Sequence, residues 1–210
     1  MDGCLLIGGK APDKNLLGPR MNDWDIIIAA DSGLHHARSL GLTPTELIGD
    51  FDSVEQRFID DYPDMLIHRH KSDKDETDTE LGIELLRKRG ARRIHIVGGG
   101  GGRLDHLYAL LSLFHRENPP DYWYTHREHI QLIQGAMLIY PGINRRVSFF
   151  PLGTGECRMK TFGLKWPLDS LRWKVGDFGV SNIVTNEEVK IEMKKGKLIM
   201  VYDLGNEDRL

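Results

Sequence analysis

The chain has 210 residues, 28% of them charged and 40% apolar, with a net charge of -3. That is ample for one large domain or two small ones, and ordinary for a soluble globular protein. It offers no excess of positive charge to a nucleic acid or an anionic membrane, Cys4 and Cys157 lack the spacing of a disulfide scaffold or zinc site, and no stretch nears the ~20 apolar residues that span a bilayer.

Short apolar runs alternate with amphipathic stretches along the first part of the chain. Leu5-Leu6-Ile7 is a strand followed by Gly8-Gly9. Ile26-Ile27-Ile28-Ala29-Ala30 is a strand followed by Asp31-Ser32-Gly33 and a helix to about Leu40, with Gly41 at its C′ position. Glu46-Leu47-Ile48 runs into Gly49-Asp50-Phe51-Asp52-Ser53, where Ser53 and Gln56 have capping-box spacing. Met65 to His68 is the next strand, leading into Asp73-Lys74-Asp75-Glu76-Thr77-Asp78. Thr77 and Glu80 again have capping-box spacing, and Leu81, Leu85 and Leu86 form the apolar face of a helix that Gly90 ends. Ile94 to Val97 precedes the glycines 98–102. Asp105 can then cap a helix with Leu107, Leu110, Leu111 and Phe114 on one face, stopped by Pro119-Pro120.

Near-continuous apolar strands separated by helices predict an α/β unit, a mostly parallel sheet with helices on both faces. After about residue 128 the strands alternate, as in Val189, Ile191 and Met193 against Lys190, Glu192 and Lys194, with turns at 153–155, 185–187 and 195–196. This predicts a C-terminal antiparallel β-sandwich. The expected division is residues 1–128 and residues 129–210.

Every polar motif of the first unit follows a strand and precedes a helix. Loops at the carboxyl ends of parallel strands line one crevice, so acids far apart in sequence can converge there. Two carboxylates about 4 Å apart repel by ~4 kcal/mol at an effective dielectric near 20, which a cation relieves. All-oxygen ligation with room for water suits Mg²⁺. Lys74 and Arg103 can hold phosphate, and glycines let a backbone approach it closely. The run is not a Walker loop, because no Gly-Lys-Ser/Thr ending follows. His35, His36, His68 and His70 lack a metal spacing and are expected on the surface or in loops. Asp31-Ser32-Gly33 completes the rim of the crevice.

This ordered set, Asp31-Ser32-Gly33, Gly49-Asp50-Phe51-Asp52-Ser53, Asp73 to Asp78 and Arg103-Leu104-Asp105-His106, resembles that of the thiamine pyrophosphokinase family. Gly163 to Leu168 and Gly179-Val180-Ser181-Asn182 resemble its substrate-side segments. The chain departs from the family pattern at Ser32, where a glycine is common, and at Ile183, where bacterial members commonly carry an acid.

The resemblance implies an ATP-dependent diphosphotransferase, a kinase in the broad sense. It would pass the diphosphate of ATP to the hydroxyethyl oxygen of thiamine and leave AMP. It implies catalysis by Asp50, Asp52 and Asp78, and Mg²⁺ held by those three with Asp105. Nucleotide contacts would come from Asp31, Ser32, Gly33, Ser53, Lys74, Asp75, Thr77, Gly101, Gly102, Arg103 and His106. Thiamine would meet Ser181, Asn182 and Trp166, the last being either the stacking aromatic or a core residue of the β unit. It also implies a homodimer with thiamine between subunits; a reducing cytoplasm fits the cysteine usage. Two rival functions share the acidic motifs: a diphosphokinase for a pterin hydroxymethyl group, and a nucleotide-binding sensor without catalysis.

Overall fold

The computed structural model describes residues 1–70 and 75–205, which form two compact units: 1–70, 75–109 and 120–127 in the first, and 110–119 with 128–205 in the second. In the first unit, strands β1 (Asp2–Leu6), β2 (Ile26–Ala30), β3 (Glu46–Gly49), β4 (Leu66–Arg69), β5 (Arg93–Val97) and β6 (Tyr122–Tyr124) lie in the order β6-β5-β1-β2-β3-β4. Every pair is parallel. Its helices are α1 (Lys14–Leu17), α2 (Leu34–Leu40), α3 (Gln56–Asp60) and α4 (Asp78–Lys88); α5 (Leu104–Leu113), after β5, begins in this unit and its last residues belong to the other.

The chain steps from β1 outward to β4. It then returns through α4 to the other side of β1. Right-handed crossovers therefore put α4 on the face opposite α2, and β1 is buried along its whole length. The strand order reverses between β1 and β5, which is where ligands bind in open α/β sheets.

The helix signals held where local chemistry decided. Gly41 closes α2 in the left-handed region at φ 70°, and Thr77 and Glu80 form both halves of the capping box of α4. The Thr77 amide donates to Glu80 Oε2 at 2.8 Å, and the Glu80 amide to Thr77 Oγ1 at 3.3 Å. One expectation fails and another holds in part. The Ser53–Gln56 box does not form; α3 starts two residues later, with Glu55 as an N-cap that makes no side-chain bond. Burial of Phe51 in a left-handed turn takes up the preceding residues instead. Of the expected apolar face of α4, Leu86 is buried but Leu81 and Leu85 only half so, and Gly82 and Ile83 complete the buried face. Gly82 lets the helix close on β1, since a Cβ there would stand 2.5 Å from Leu5 Cδ1. After β5, the buried apolar residues are Leu110, Leu113 and Phe114, with Leu111 partly exposed.

A buried polar group ties β1 to β5 at their starts. Arg93 Nε donates to Asp2 Oδ1 at 2.8 Å, and His95 Nε2 stands 3.2 Å from Asp2 Oδ2. Burial drives the His95 pKa down to about 4, only partly offset by Asp2. The unfolded chain, with an ordinary histidine near 6.5, then binds more protons than the native chain between about pH 4 and 6.5. Stability from this group is thus full above that window and falls with pH inside it, by roughly 3 kcal/mol at most. We expect the unfolding free energy of His95→Gln to depend less steeply on pH between 6.5 and 4 than that of the parent chain. Equal slopes in denaturant titrations would refute this.

In the second unit, β7 (Glu128–Ile133), β8 (Ala136–Ile139), β9 (Arg146–Leu152), β10 (Arg158–Phe162), β11 (Gly179–Ile183), β12 (Val189–Lys195) and β13 (Lys197–Asp203) pair antiparallel. Their orders are β11-β9-β13-β7 and β10-β12-β8. Ile133, Val147, Phe149, Leu198 and Met200 of the first group share one core with Ile139, Met159, Val189 and Ile191 of the second. That is the expected sandwich. The alternation along β12 puts Val189 and Ile191 inside and their lysine and glutamate neighbours outside. Among the described residues no helix is long and apolar enough to cross a membrane.

Candidate active site

Three carboxylates meet where β2 and β3 end and α4 begins. Asp31 follows β2 in the left-handed region at φ 43°. The turn after it packs onto β1 because Gly33 has no Cβ; one there would collide with the Leu6 carbonyl oxygen. Gly49 ends β3 at φ 148°, and a Cβ on it would collide with the Asp31 carboxylate. The next residues turn sharply, with Phe51 buried at φ 68° and its amide donating to Asp31 Oδ1 at 3.3 Å. Arg69 holds that turn from β4: its guanidinium lies 4.7 Å from the Phe51 ring centroid, and Nη1 donates to the Asp50 carbonyl at 3.1 Å. Left-handed backbone at non-glycine residues costs about 1–3 kcal/mol each and clusters at functional sites.

Asp78, the first residue of α4, shares a hydrogen bond with Asp31. Burial first, then this bond, the Asp78 charge and the Asp50 charge push the Asp31 pKa up to about 7, against the Phe51 amide. Two carboxyls sharing a proton beside a third is a surplus of negative charge. A hard divalent cation relieves it, and Mg²⁺ commonly takes one or two carboxylates and completes its shell with phosphate and water. The Asp31–Asp78 pair, with the Asp50 charge acting on it, offers one or two carboxylates of that kind. Among the described residues no group of three or more His, Cys, Asp or Glu side chains is placed to hold a metal ion by itself, so phosphate and water oxygens would have to supply the rest of a shell.

The other predicted acids lie differently. Asp52 is exposed, and its amide donates to Asp50 Oδ1 at 3.1 Å. Asp105 is engaged by Arg103 in a two-pronged ion pair, with Nε donating to Oδ1 at 3.1 Å and Nη2 to Oδ2, and it accepts from the His106 amide at 3.0 Å. Ser53 and Asp75 are exposed, and the Thr77 hydroxyl is occupied as a cap. Asp73 and Lys74 lie outside the described residues. Sequence reasoning put Asp31 on the rim; the structure makes it the most perturbed acid of the group.

The glycine run is not a loose loop. The Gly98 amide donates to Tyr124 O at 3.0 Å, Gly99 to Gly8 O at 2.7 Å and Gly100 to Lys10 O at 3.0 Å. Those amides are spent inside the fold and are not open to a phosphate. Gly101 and Gly102 lie beyond them, and a Cβ on Gly102 would meet nothing within 4 Å. Ser32 packs beside Gly8, with its Oγ 2.5 Å from where a Cβ would stand. Two of the histidines expected on the surface or in loops are partly buried on α2. His36 Nε2 bonds the Gly9 carbonyl at 2.8 Å, and the His35 ring packs on Phe58. His68, on β4, bonds the buried Glu46 at 2.6 Å, while His70 follows that strand. Sequence reasoning also passed over Arg69 and Lys10; the second could have been flagged because Gly8-Gly9 follows a buried strand, the same signal that singled out 98–102.

In the second unit, Asn182 is buried and clamps Trp166. Its Nδ2 donates to Trp166 O at 2.7 Å, and its Oδ1 accepts from the Trp166 amide at 3.2 Å. Trp166 itself is 53% exposed, with Lys165 Nζ 4.7 Å from its ring, so it is not a core residue. Ser181 sits where the register of β11 slips against β9, exposed and at φ 59°. Bulges of this kind re-aim side chains next to sites.

Comparison with known proteins adds to this geometry. The family profile described as "Thiamin pyrophosphokinase, catalytic domain" matches residues 19–122, and "Thiamin pyrophosphokinase, vitamin B1 binding domain" matches residues 137–198. The thiamine pyrophosphokinase of Bacillus subtilis (strain 168) is 29% identical over 183 residues, 83% of this chain and 85% of that one. A crystal structure of the Bacillus subtilis enzyme superposes with a TM-score of 0.78 at 25% identity, over 97% of this chain and 99% of that one. The thiamin pyrophosphokinase of Candida albicans shares the fold, with a TM-score of 0.75 at 16% identity over 97% of this chain and 89% of that one.

Proposed function

The chain belongs to the thiamine pyrophosphokinase family, and on that premise we propose that it transfers the β,γ-diphosphate of ATP to the hydroxyethyl oxygen of thiamine, releasing thiamine diphosphate and AMP. The observation that carries the chemistry is the Asp31–Asp78 pair with Asp50 beside it, at the carboxyl ends of parallel strands. Simple anion binding calls for cations, whereas a crowd of acids suits a metal–phosphate complex. The vitamin B1 binding profile over residues 137–198 supports thiamine as the acceptor.

In this reading Asp31, Asp50 and Asp78 would hold Mg²⁺ together with phosphate and water oxygens, with Asp52 as the next acid on the same loop. Bound there, Mg²⁺ supplies charge neutralisation on the phosphate oxygens as the bond from the β-phosphorus to AMP breaks. The chain's own residues position the reactants. Gly101 and Gly102 give the triphosphate a close approach, and Arg103, held by Asp105, faces the same loop. Asp31, Ser32 and Gly33 with Ser53, Asp75, Thr77 and His106 complete the nucleotide side. A carboxylate of the acid group takes the hydroxyl proton of thiamine as its oxygen bonds to the β-phosphorus; a loose transition state asks little base strength of it, so orientation dominates. Asn182 holds Trp166 against the thiamine ring, and Ser181 contacts it from the bulge. A homodimer in the cytoplasm is part of the proposal, supported by exposed Phe178 and Val180 flanking that bulge and by two unpaired buried cysteines.

The test is AMP release from ATP and Mg²⁺ with thiamine, run beside 6-hydroxymethyl-dihydropterin. Thiamine-dependent AMP with formation of thiamine diphosphate is expected. AMP released only with the pterin, or with neither alcohol, would overturn the assignment.

A further inference from the structure

We propose that Lys10 binds the polyphosphate chain of the donor nucleotide, a role that deepens the diphosphotransferase reading and rests on it. Lys10 stands at the reversal of strand order, on the loop after β1 and facing the loop after β5. Its main chain is fixed there. The Lys10 amide donates to Gly100 O at 2.7 Å and its carbonyl accepts from the Gly100 amide at 3.0 Å, while His36 anchors Gly9 next to it. Its alkyl stem lies flat over Gly101, which stands at φ 62°; a Cβ on that glycine would be 2.6 Å from Lys10 Cδ and 3.2 Å from Cε. Nζ is one bond beyond Cε, so the ammonium emerges beside Gly101.

The charge is available. Lys10 is exposed, and among the described residues no carboxylate stands within ion-pair distance of it. Arg103, the other cation on these loops, is already matched by both oxygens of Asp105. A polyphosphate entering at the strand reversal would meet a preset backbone floor and one unmatched ammonium. A compact ammonium on a flexible stem suits a chain of phosphate oxygens as a point charge. AMP carries a single phosphate and lacks the β and γ groups, so the proposal separates affinity for ATP from affinity for AMP.

Lys10→Gln keeps a polar side chain, one atom shorter, without the charge; Lys10→Arg keeps the charge. Calorimetric titration of both variants and the parent chain with ATP and with AMP, in buffer containing Mg²⁺, tests the role. Because the side chain is exposed, all three proteins should melt alike. Lys10→Gln should bind ATP about tenfold or more weakly, the strength usual for a charge-assisted hydrogen bond, with AMP changed less than about twofold. Lys10→Arg should recover most of the ATP affinity. Equal ATP affinity in Lys10→Gln, or parallel weakening of ATP and AMP, would overturn the proposal. A parent chain that binds ATP but makes no AMP with thiamine sinks the proposed reaction and leaves the Lys10 result standing. A parent chain that does not bind ATP sinks both.

Discussion

Asp78→Asn is expected to lower turnover by about a hundredfold to a thousandfold, which corresponds to losing several kcal/mol of transition-state charge stabilisation. It should do so without harming the fold, because Asp78 is partly exposed and the capping box beside it is made by Thr77 and Glu80. A second readout needs no substrate. Asp31 has its native pKa raised to about 7, so the crowding it reports is felt as pH rises through that value. The sign follows: stability from this group is fully present below the unfolded carboxyl pKa and lost as pH rises through about 7. A divalent cation restores it only where the proton has left. Mg²⁺ should therefore raise the melting temperature of the parent chain at pH 8 and do little at pH 5. In Asp78→Asn the pH 8 effect should shrink or vanish. Turnover within about tenfold of the parent, together with an undiminished Mg²⁺ effect, would remove Asp78 from the site.

The second large effect is on the scaffold. Gly98→Ala should destabilise by roughly 3 kcal/mol or more, a fall in melting temperature on the order of 10 °C for a chain of this size. Gly98 stands at φ 115°, where side chains are strained, and a Cβ would collide with the Ile7 carbonyl oxygen and stand 3.1 Å from that of Gly8. Both neighbours are backbone of the loop that follows β1, which cannot swing aside as a side chain can. Gly102→Ala, four positions on in the same run, meets open space and should melt like the parent. Thermal melts within about 2 °C of each other for the two variants would show that the glycine run is not locked to the β1 loop.

The inner parallel strands were legible because both their faces are covered, so they read as unbroken apolar runs such as Ile26 to Ala30; the edge strand β4 is largely exposed. The start of α4 was legible because Thr77 and Glu80 act within one turn. What escaped is what depends on distant neighbours. Ser53 has cap spacing, but burial of Phe51 under Arg69, eighteen positions later, decides where α3 begins. Topology put the acids in one crevice, yet which of them touch depends on Gly49 making room for Asp31. Nor does a string of glycines announce whether its amides are open. Those of Gly99 and Gly100 close on Gly8 and Lys10, some ninety residues earlier, and only coordinates reveal that pairing. Trp166 could be read two ways because its exposure is set by Asn182, sixteen positions away.

Asn182 has one further consequence. Its carboxamide offers Trp166 one acceptor and one donor, as a peptide unit of a neighbouring strand would. Beside the bulge at Ser181, where main-chain register slips, a side chain thus imitates the missing backbone. Few other residues can stand in for it. Aspartate keeps the acceptor but has no N–H for the Trp166 carbonyl; glutamine keeps both groups but sets them a methylene too far; serine and alanine fall short. The genetic vocabulary at this position is close to a single word, although the residue that it serves lies in another segment of the chain.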